Sequence, residues 1–227
     1  MGLVLNLIFQ TIVWFGLMGG IIFGGAGTIN YASGWLYLAM MMLLSIVFGA
    51  HMLHVNPGLL RERLKGPLQK DQPLVDKLVL IPLLVLLFGA MGFMAADAAR
   101  WQWSMMPPLV QGAGCSLLVA AFLCMYWTMH TNSFAAPVVK IQTDRGQAVI
   151  TTGPYAIVRH PMYFGAIFYV AGTSLTLGSW WGLTVVPIFA LLLAVRIGVE
   201  EKALRTALDG YGDYERQVRW RLIPLIW

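Results

Sequence analysis

The chain has 227 residues, 59% of them hydrophobic and only 11% charged, with a formal net charge of +5 and a mean hydropathy of +0.72. About a quarter of the residues of a soluble globule are charged, so that class is excluded and the composition is that of an integral membrane protein. The two cysteines have no metal-ligand spacing and read as reduced, so no metal site is expected, nor a nucleic-acid partner.

Spans of about 20 apolar residues are the expected unit. Six are predicted, over 4–25, 34–53, 78–99, 107–127, 162–178 and 180–197, in one all-α membrane domain covering 1–227. Its first part, 1–106, reads as anchoring helices, and 107–227 holds nearly every candidate site residue. The start Met1-Gly2-Leu3-Val4 lacks the basic stretch of a cleaved signal, so the first span is expected to stay as an anchor. Within it, Asn6 and Gln10 are spaced to hydrogen-bond a neighbouring helix.

With six spans, both termini and the connections 54–77 and 128–161 share one side. That side holds 14 of the 15 Lys and Arg residues, Arg100 being the exception, which makes it cytoplasmic by the positive-inside rule. Segment 54–77, with Arg61, Glu62, Arg63, Lys65, Lys70 and Lys77, is expected to be a solvated loop. His51 and His54 read as solvated interfacial side chains. Gly112-Ala113-Gly114 and Ser116 open the fourth span with small residues suited to close helix contact, and Cys115 and Cys124 read as reduced packing residues. Trp35, Trp101, Trp103, Trp180, Trp181 and Trp227 fall where an aromatic belt is expected.

Segment 128–161 is too polar for the bilayer. Val138-Val139-Lys140-Ile141 and Ala148-Val149-Ile150 are β-rich and flank the turn signal Asp144-Arg145-Gly146. After Thr151-Thr152-Gly153-Pro154-Tyr155 comes Arg159-His160-Pro161-Met162-Tyr163-Phe164-Gly165. Pro161 biases His160 to an extended backbone and suits the first helical position, so the fifth span should begin there. Free amides at that terminus, reinforced by Arg159, would seat a carboxylate or phosphate. Tyr163 could stack on a ligand, and Gly165 leaves room for a ligand or a helix.

Only Gly178-Ser179 separates the last two spans, which predicts a helical hairpin with neighbouring cytoplasmic ends. Arg196 and Glu200, four residues apart on one face, and Glu201, turned about 100° away, should therefore meet Arg159, His160 and Tyr163. An i,i+4 salt bridge between Arg196 and Glu200 is the simpler use of those two. The tail 202–227 interleaves Tyr211, Tyr214 and Val218 with Arg216, Arg219 and Arg221, as an interfacial helix or a cover over a cavity between the clusters.

Gly-Pro-Tyr-x3-Arg-His-Pro-x-Tyr-x-Gly, then Arg-x3-Glu-Glu-x2-Leu, then a Tyr-rich tail ending in Leu-Ile-Pro resembles the isoprenylcysteine carboxyl methyltransferases and related phospholipid methyltransferases over about residues 107–224. The resemblance implies S-adenosylmethionine as cofactor, held by Tyr155, Arg159, His160, Pro161, Tyr163, Gly165 and Glu201, with Arg196 and Glu200 toward the methyl acceptor. It also implies a lipophilic or lipid-anchored acceptor in contact with membrane lipids. Gln217, where the family often has a further Tyr, and two extra N-terminal spans are departures from the pattern. A membrane reductase using NADPH and a non-catalytic scaffold are the alternatives.

Overall fold

The structure is a computed structural model that describes residues 2–69 and 72–227; Met1, Lys70 and Asp71, and with them part of the charged 54–77 segment, lie outside the described residues. Long apolar runs form helices because only intra-segment hydrogen bonds satisfy the backbone away from water. They are α1 (Gly2–Ala26), α2 (Ala32–Val55), α4 (Leu74–Ala95), α5 (Pro108–Thr131), α6 (Pro161–Leu177) and α7 (Val185–Ala207), with short helices α3 (Pro57–Arg63) and α8 (Tyr211–Gln217). Proline at the first turn starts α3, α5 and α6, where a missing N–H costs nothing. Gly178, at φ +84°, supplies the left-handed residue that ends α6.

Among the described residues, five helices are long and apolar enough to cross a membrane, giving a multi-pass membrane protein. The fifth predicted span, α6, has 17 residues, about 25 Å at 1.5 Å per residue, against a hydrocarbon core of about 30 Å. It nonetheless runs between the same two ends of the bundle as its neighbours. At one end Tyr31 Oη donates to Leu177 O; at the other, Arg159 and His160 meet the end of α7. Phe9, Leu43, Val85, Leu109 and Leu191 face outward, as lipid contact requires. The core between the helices is built from Ile22, Tyr37, Met41, Met91, Leu118, Val170 and Leu193.

The closest helix pair is α5 with α6, and small residues set that contact. A Cβ on Gly114 would lie 2.6 Å from Leu175 Cβ and from Thr176 N, and one on Gly172 would lie 3.0 Å from Leu118 N. The small-residue expectation for the fourth span is therefore met at Gly114, whereas Gly112 faces open space.

At the far end, α4 continues into a π-helical turn, Ala96–Trp101, carrying Asp97. Asp97 Oδ2 accepts from Ser104 Oγ (2.6 Å) and Ser179 Oγ (2.5 Å); those hydroxyls in turn accept from Trp180 N and Gly182 N. This relay fastens the turn between α6 and α7 to the end of α4.

Two expectations change at the opposite end. Segment 54–77 is not simply a solvated loop. Asn56 caps α3 by accepting from Leu59 N (3.1 Å), and Leu59, Leu60 and Glu62 are buried. Glu62 binds Lys65 and Lys140 at 2.5 Å each, tying this segment to the second connection. In that connection the turn at Thr143–Arg145 forms, but among the described residues Val138–Ile141 and Ala148–Ile150 pair in no strand. Their polar groups go elsewhere: Val139 N donates to Asp76 Oδ2 and Gln142 N to the Gln147 side chain. Gln10 donates to Asn6 (3.1 Å) and to Leu64 O (2.7 Å), so the Asn6–Gln10 pair serves helix attachment.

Gly114→Ala should force α5 from α6 and cost about 1–3 kcal/mol, read as earlier thermal unfolding in detergent. Burial pushes the Glu62 carboxyl upward, but the hydrogen bonds and charges of Lys140 and Lys65 outweigh it and hold its pKa below 4.5. A depressed folded pKa stabilises above the unfolded value and the contribution fades as pH falls through the folded one. Proteolysis of segment 134–150 should thus rise in the wild type as pH falls below the ordinary carboxylate range, and Glu62→Gln should be equally susceptible at neutral pH.

Candidate active site

Local sequence sets the entrance to α6. Gly153–Ala156 forms a 3-10 turn, after which Arg159 N donates to Trp220 O and His160 N to Arg221 O, both at 2.9 Å. The tail is thereby laid along the segment that introduces α6, and Pro161 starts the helix as its fixed φ favours.

The basic and acidic clusters meet. Arg159 Nε and Nη2 each lie 2.8 Å from Glu201 Oε1, and its Nη1 donates to Val218 O (2.8 Å) and Arg219 O (3.1 Å). His160 Nε2 is 3.3 Å from the same Glu201 oxygen, and its Nδ1 is 3.7 Å from Glu200 Oε2. Glu201 Oε2 takes Arg221 Nε (2.9 Å) and Arg205 Nη2 (3.1 Å). Glu201, 1% exposed, thus meets three guanidinium groups and an imidazole. Such convergence is the condition under which a carboxylate is tolerated in the interior.

Glu200 is placed differently. Its side chain is 28% exposed, and Oε2 accepts from Tyr163 Oη at 2.6 Å. Tyr163 stacks on His160 with ring centroids 5.6 Å apart and planes 6° apart, while Arg196 lies over its other neighbourhood at 5.5 Å from the ring centroid. The i,i+4 pair of Arg196 with Glu200 is replaced by a longer-range one. Arg196 Nε donates to Asp76 Oδ1 (2.9 Å) and Nη2 to Pro137 O (2.8 Å). Asp76 is fully buried and its Oδ2 also accepts from Gln72 Nε2 (2.6 Å) and Val139 N (3.0 Å).

These groups border a cleft of about 110 Å³ at the end of the bundle that carries the two long connections. Tyr155, Arg159, His160, Pro161, Tyr163 and Glu200 line it, together with Val138, Val139 and Ile141 and the tail residues Tyr211 and Tyr214. Gly165, Arg196 and Glu201 do not. Gly165 faces α5, where a Cβ would lie 2.7 Å from Met125 Cγ; Arg196 is turned to Asp76; Glu201 sits behind Arg159 and His160. Burial pushes the Tyr155 phenol upward against the partial relief of the Asn132 hydrogen bond. Burial likewise raises Tyr211 and Tyr214, so all three remain neutral at physiological pH.

The tail covers the cleft. Tyr211, Tyr214 and Val218 pack with Val149, Tyr155, Leu204 and Leu208, and Tyr214 Oη donates to Tyr155 O (2.8 Å). Asp76, Gln72 and Asn132 are the polar partners that sequence reasoning left out. An acidic residue in the first turn of an apolar helix was the available signal for Asp76, since a carboxylate so placed needs a partner. Chemically the cleft offers aromatic faces, an apolar wall and one reachable carboxylate, a set suited to a cationic ligand with a flat hydrophobic part.

A family model described as phospholipid methyltransferase matches residues 110–209, from α5 through α7. The Protein-S-isoprenylcysteine O-methyltransferase of Saccharomyces cerevisiae is 33% identical over 131 residues, covering 56% of this chain and 54% of the yeast protein. The chain thus spans about half the length of the curated relative it matches. This C-terminal segment, which contains Tyr155, the Arg-His-Pro run and both glutamates, is thus similar to the phospholipid and isoprenylcysteine methyltransferases.

Proposed function

We propose that the protein transfers a methyl group from S-adenosylmethionine to a lipophilic acceptor at the cytoplasmic membrane face. The observation that carries this reading is the cleft lined by Tyr155, His160, Tyr163 and Glu200 inside the matched segment, closed by tail tyrosines 211 and 214. The cleft lies at the end bearing 14 of the 15 basic residues, which supports a cytoplasmic opening with both termini on that side and six crossings, α6 and α7 forming the last hairpin.

The residues fit the cofactor. Tyrosine faces and the apolar wall would hold the adenosyl part, and Glu200 would meet positive charge, whether the ammonium or the sulfonium. The cofactor supplies an electrophilic methyl carbon when bound. The chain's own groups orient and shield: the tail tyrosines exclude water, and His160 and Tyr163 fix the Glu200 carboxylate at Oε2. Transfer then requires the acceptor atom aligned at about 3 Å from the methyl carbon. A carboxylate acceptor needs no base, because attack on a sulfonium cancels charge. An amine or thiol acceptor would hand its proton to Glu200 Oε2. Arg159 and Glu201 serve as the buried frame beneath the site, and Asp76 with Arg196 as its lateral brace.

The two adjacent glutamates should therefore separate by assay. Glu201→Gln leaves buried guanidinium groups short of a counter-charge and should cost about 3–5 kcal/mol in thermal unfolding. Glu200→Gln should leave unfolding nearly unchanged while lowering methyl transfer by about 10²-fold or more with an amine or thiol acceptor. Titration of the purified protein should give saturable binding of S-adenosylmethionine, and labelled cofactor with total membrane lipids and prenylcysteine analogues should yield a methylated product. Saturable NADPH binding without S-adenosylmethionine binding would replace this reading with a reductase.

A further inference from the structure

A second, mostly apolar cavity, of about 490 Å³ and more open than the first, lies between the long helices of the bundle. Most of its wall comes from helices that precede the matched segment 110–209: Trp14 and Met18 of α1, Met41 of α2, Phe88 and Met91 of α4. Along α1 the lining runs from Leu7 to Met18 at helical spacing, a length of about 16 Å. The wall is apolar except near one end, where Gln10, Thr11, Ser45 and Arg63 stand.

Arg63 joins the two cavities. Its Nη1 donates to Ala135 O at 2.9 Å, Ala135 lines the first cleft, and that carbonyl is the guanidinium's one hydrogen-bond partner among the described residues. No carboxylate lies within salt-bridge distance of it among those residues, whereas Arg159 and Arg196 are each paired. Arg63 is partly buried; that burial and the neighbouring Arg196 disfavour its charge, with Tyr155 acting the other way, so an anion arriving there would relieve a cost already present. The planar fork of a guanidinium matches a carboxylate or a phosphate. Helix α6 supplies a continuous wall, with Tyr163 in the first cavity and Ala166 and Tyr169 in the second.

We infer that the second cavity holds the hydrocarbon chain of a lipid bearing an anionic head group, carboxylate or phosphate, and that Arg63 binds that head group. As the acceptor's seat the site rests on the methyltransferase reading; as a lipid site it stands on the cavity and on Arg63. It gives the N-terminal helices a task that the family match does not assign them.

The test uses the purified full chain and photoreactive single-chain probes of equal length ending in a carboxylate, a phosphate or a hydroxyl. The anionic probes should label wall residues such as Trp14 and Phe88, and the hydroxyl probe only weakly. Arg63→Gln should lower anionic labelling roughly tenfold, the equivalent of one charge-assisted hydrogen bond. Arg63→Lys should retain part of it. Thr11→Phe, which fills the cavity with the charge left in place, should block labelling while thermal unfolding stays near wild type. The stronger of the carboxylate and phosphate probes in competition identifies the head group. Equal labelling by anionic and neutral probes, insensitivity to Arg63→Gln, or labelling confined to outward residues such as Phe9 and Leu43 would overturn the inference. S-adenosylmethionine binding measured on the same samples separates the two readings. Probe capture without cofactor binding removes only the methyltransferase, and cofactor binding without capture removes only the lipid site.

Discussion

A carboxylate with almost no exposure to solvent survives only where cations surround it, and Glu201 is the point at which this chain meets that demand. Arg159 and His160 come to it from the start of α6, Arg205 from its own helix, and Arg221 from the tail. Three chain segments are thereby fixed to one another at a single oxygen pair. The tail cannot lift from α6 without uncovering Glu201, and the same tail supplies the tyrosines that close the cleft. Electrostatic pairing and the shape of the site are one arrangement here.

Adjacent residues on α7 have diverged in use because a helix turns each successive side chain about 100°. Glu201 points into the cation cluster, whereas Glu200 points to Tyr163 and the cleft. Arg196, one turn earlier, is drawn sideways by Asp76. Through Asp76 the N-terminal half enters the site, since the same carboxylate holds Val139, a residue of the cleft wall. The N-terminal helices are therefore more than anchors: they brace the C-terminal half at Arg196, at Glu62 and at Arg63.

Much of this was legible along the chain. The lengths of apolar runs located the helices, although α7 extends ten residues past its predicted span, and Pro161 marked the start of α6. Arg159, His160 and Tyr163, expected from the motif spacing to meet the polar end of the last span, do contact Glu200 and Glu201 of α7. Other features were not legible. Val138–Ile141 has the composition of a strand but, among the described residues, no partner strand, and its Val139 amide is taken by the distant Asp76 side chain. Gly165 sits in the motif, yet its missing side chain makes room for Met125 of α5. Segment 54–77 looked solvated because its charges are many, but Glu62 finds Lys140 78 residues away.

The sequence by itself determined what depends on local pattern: membrane class, helix positions, the segregation of charge to one end, and the proximity of two motif clusters joined by a tight turn. Tertiary structure alone decided which charge neutralises which. A buried ion takes the partner that geometry brings within about 3 Å, and for Arg196 that was Asp76 rather than its helical neighbour Glu200. Spacing along a helix names the candidates, but only packing across helices removes water from one pair and leaves it to another.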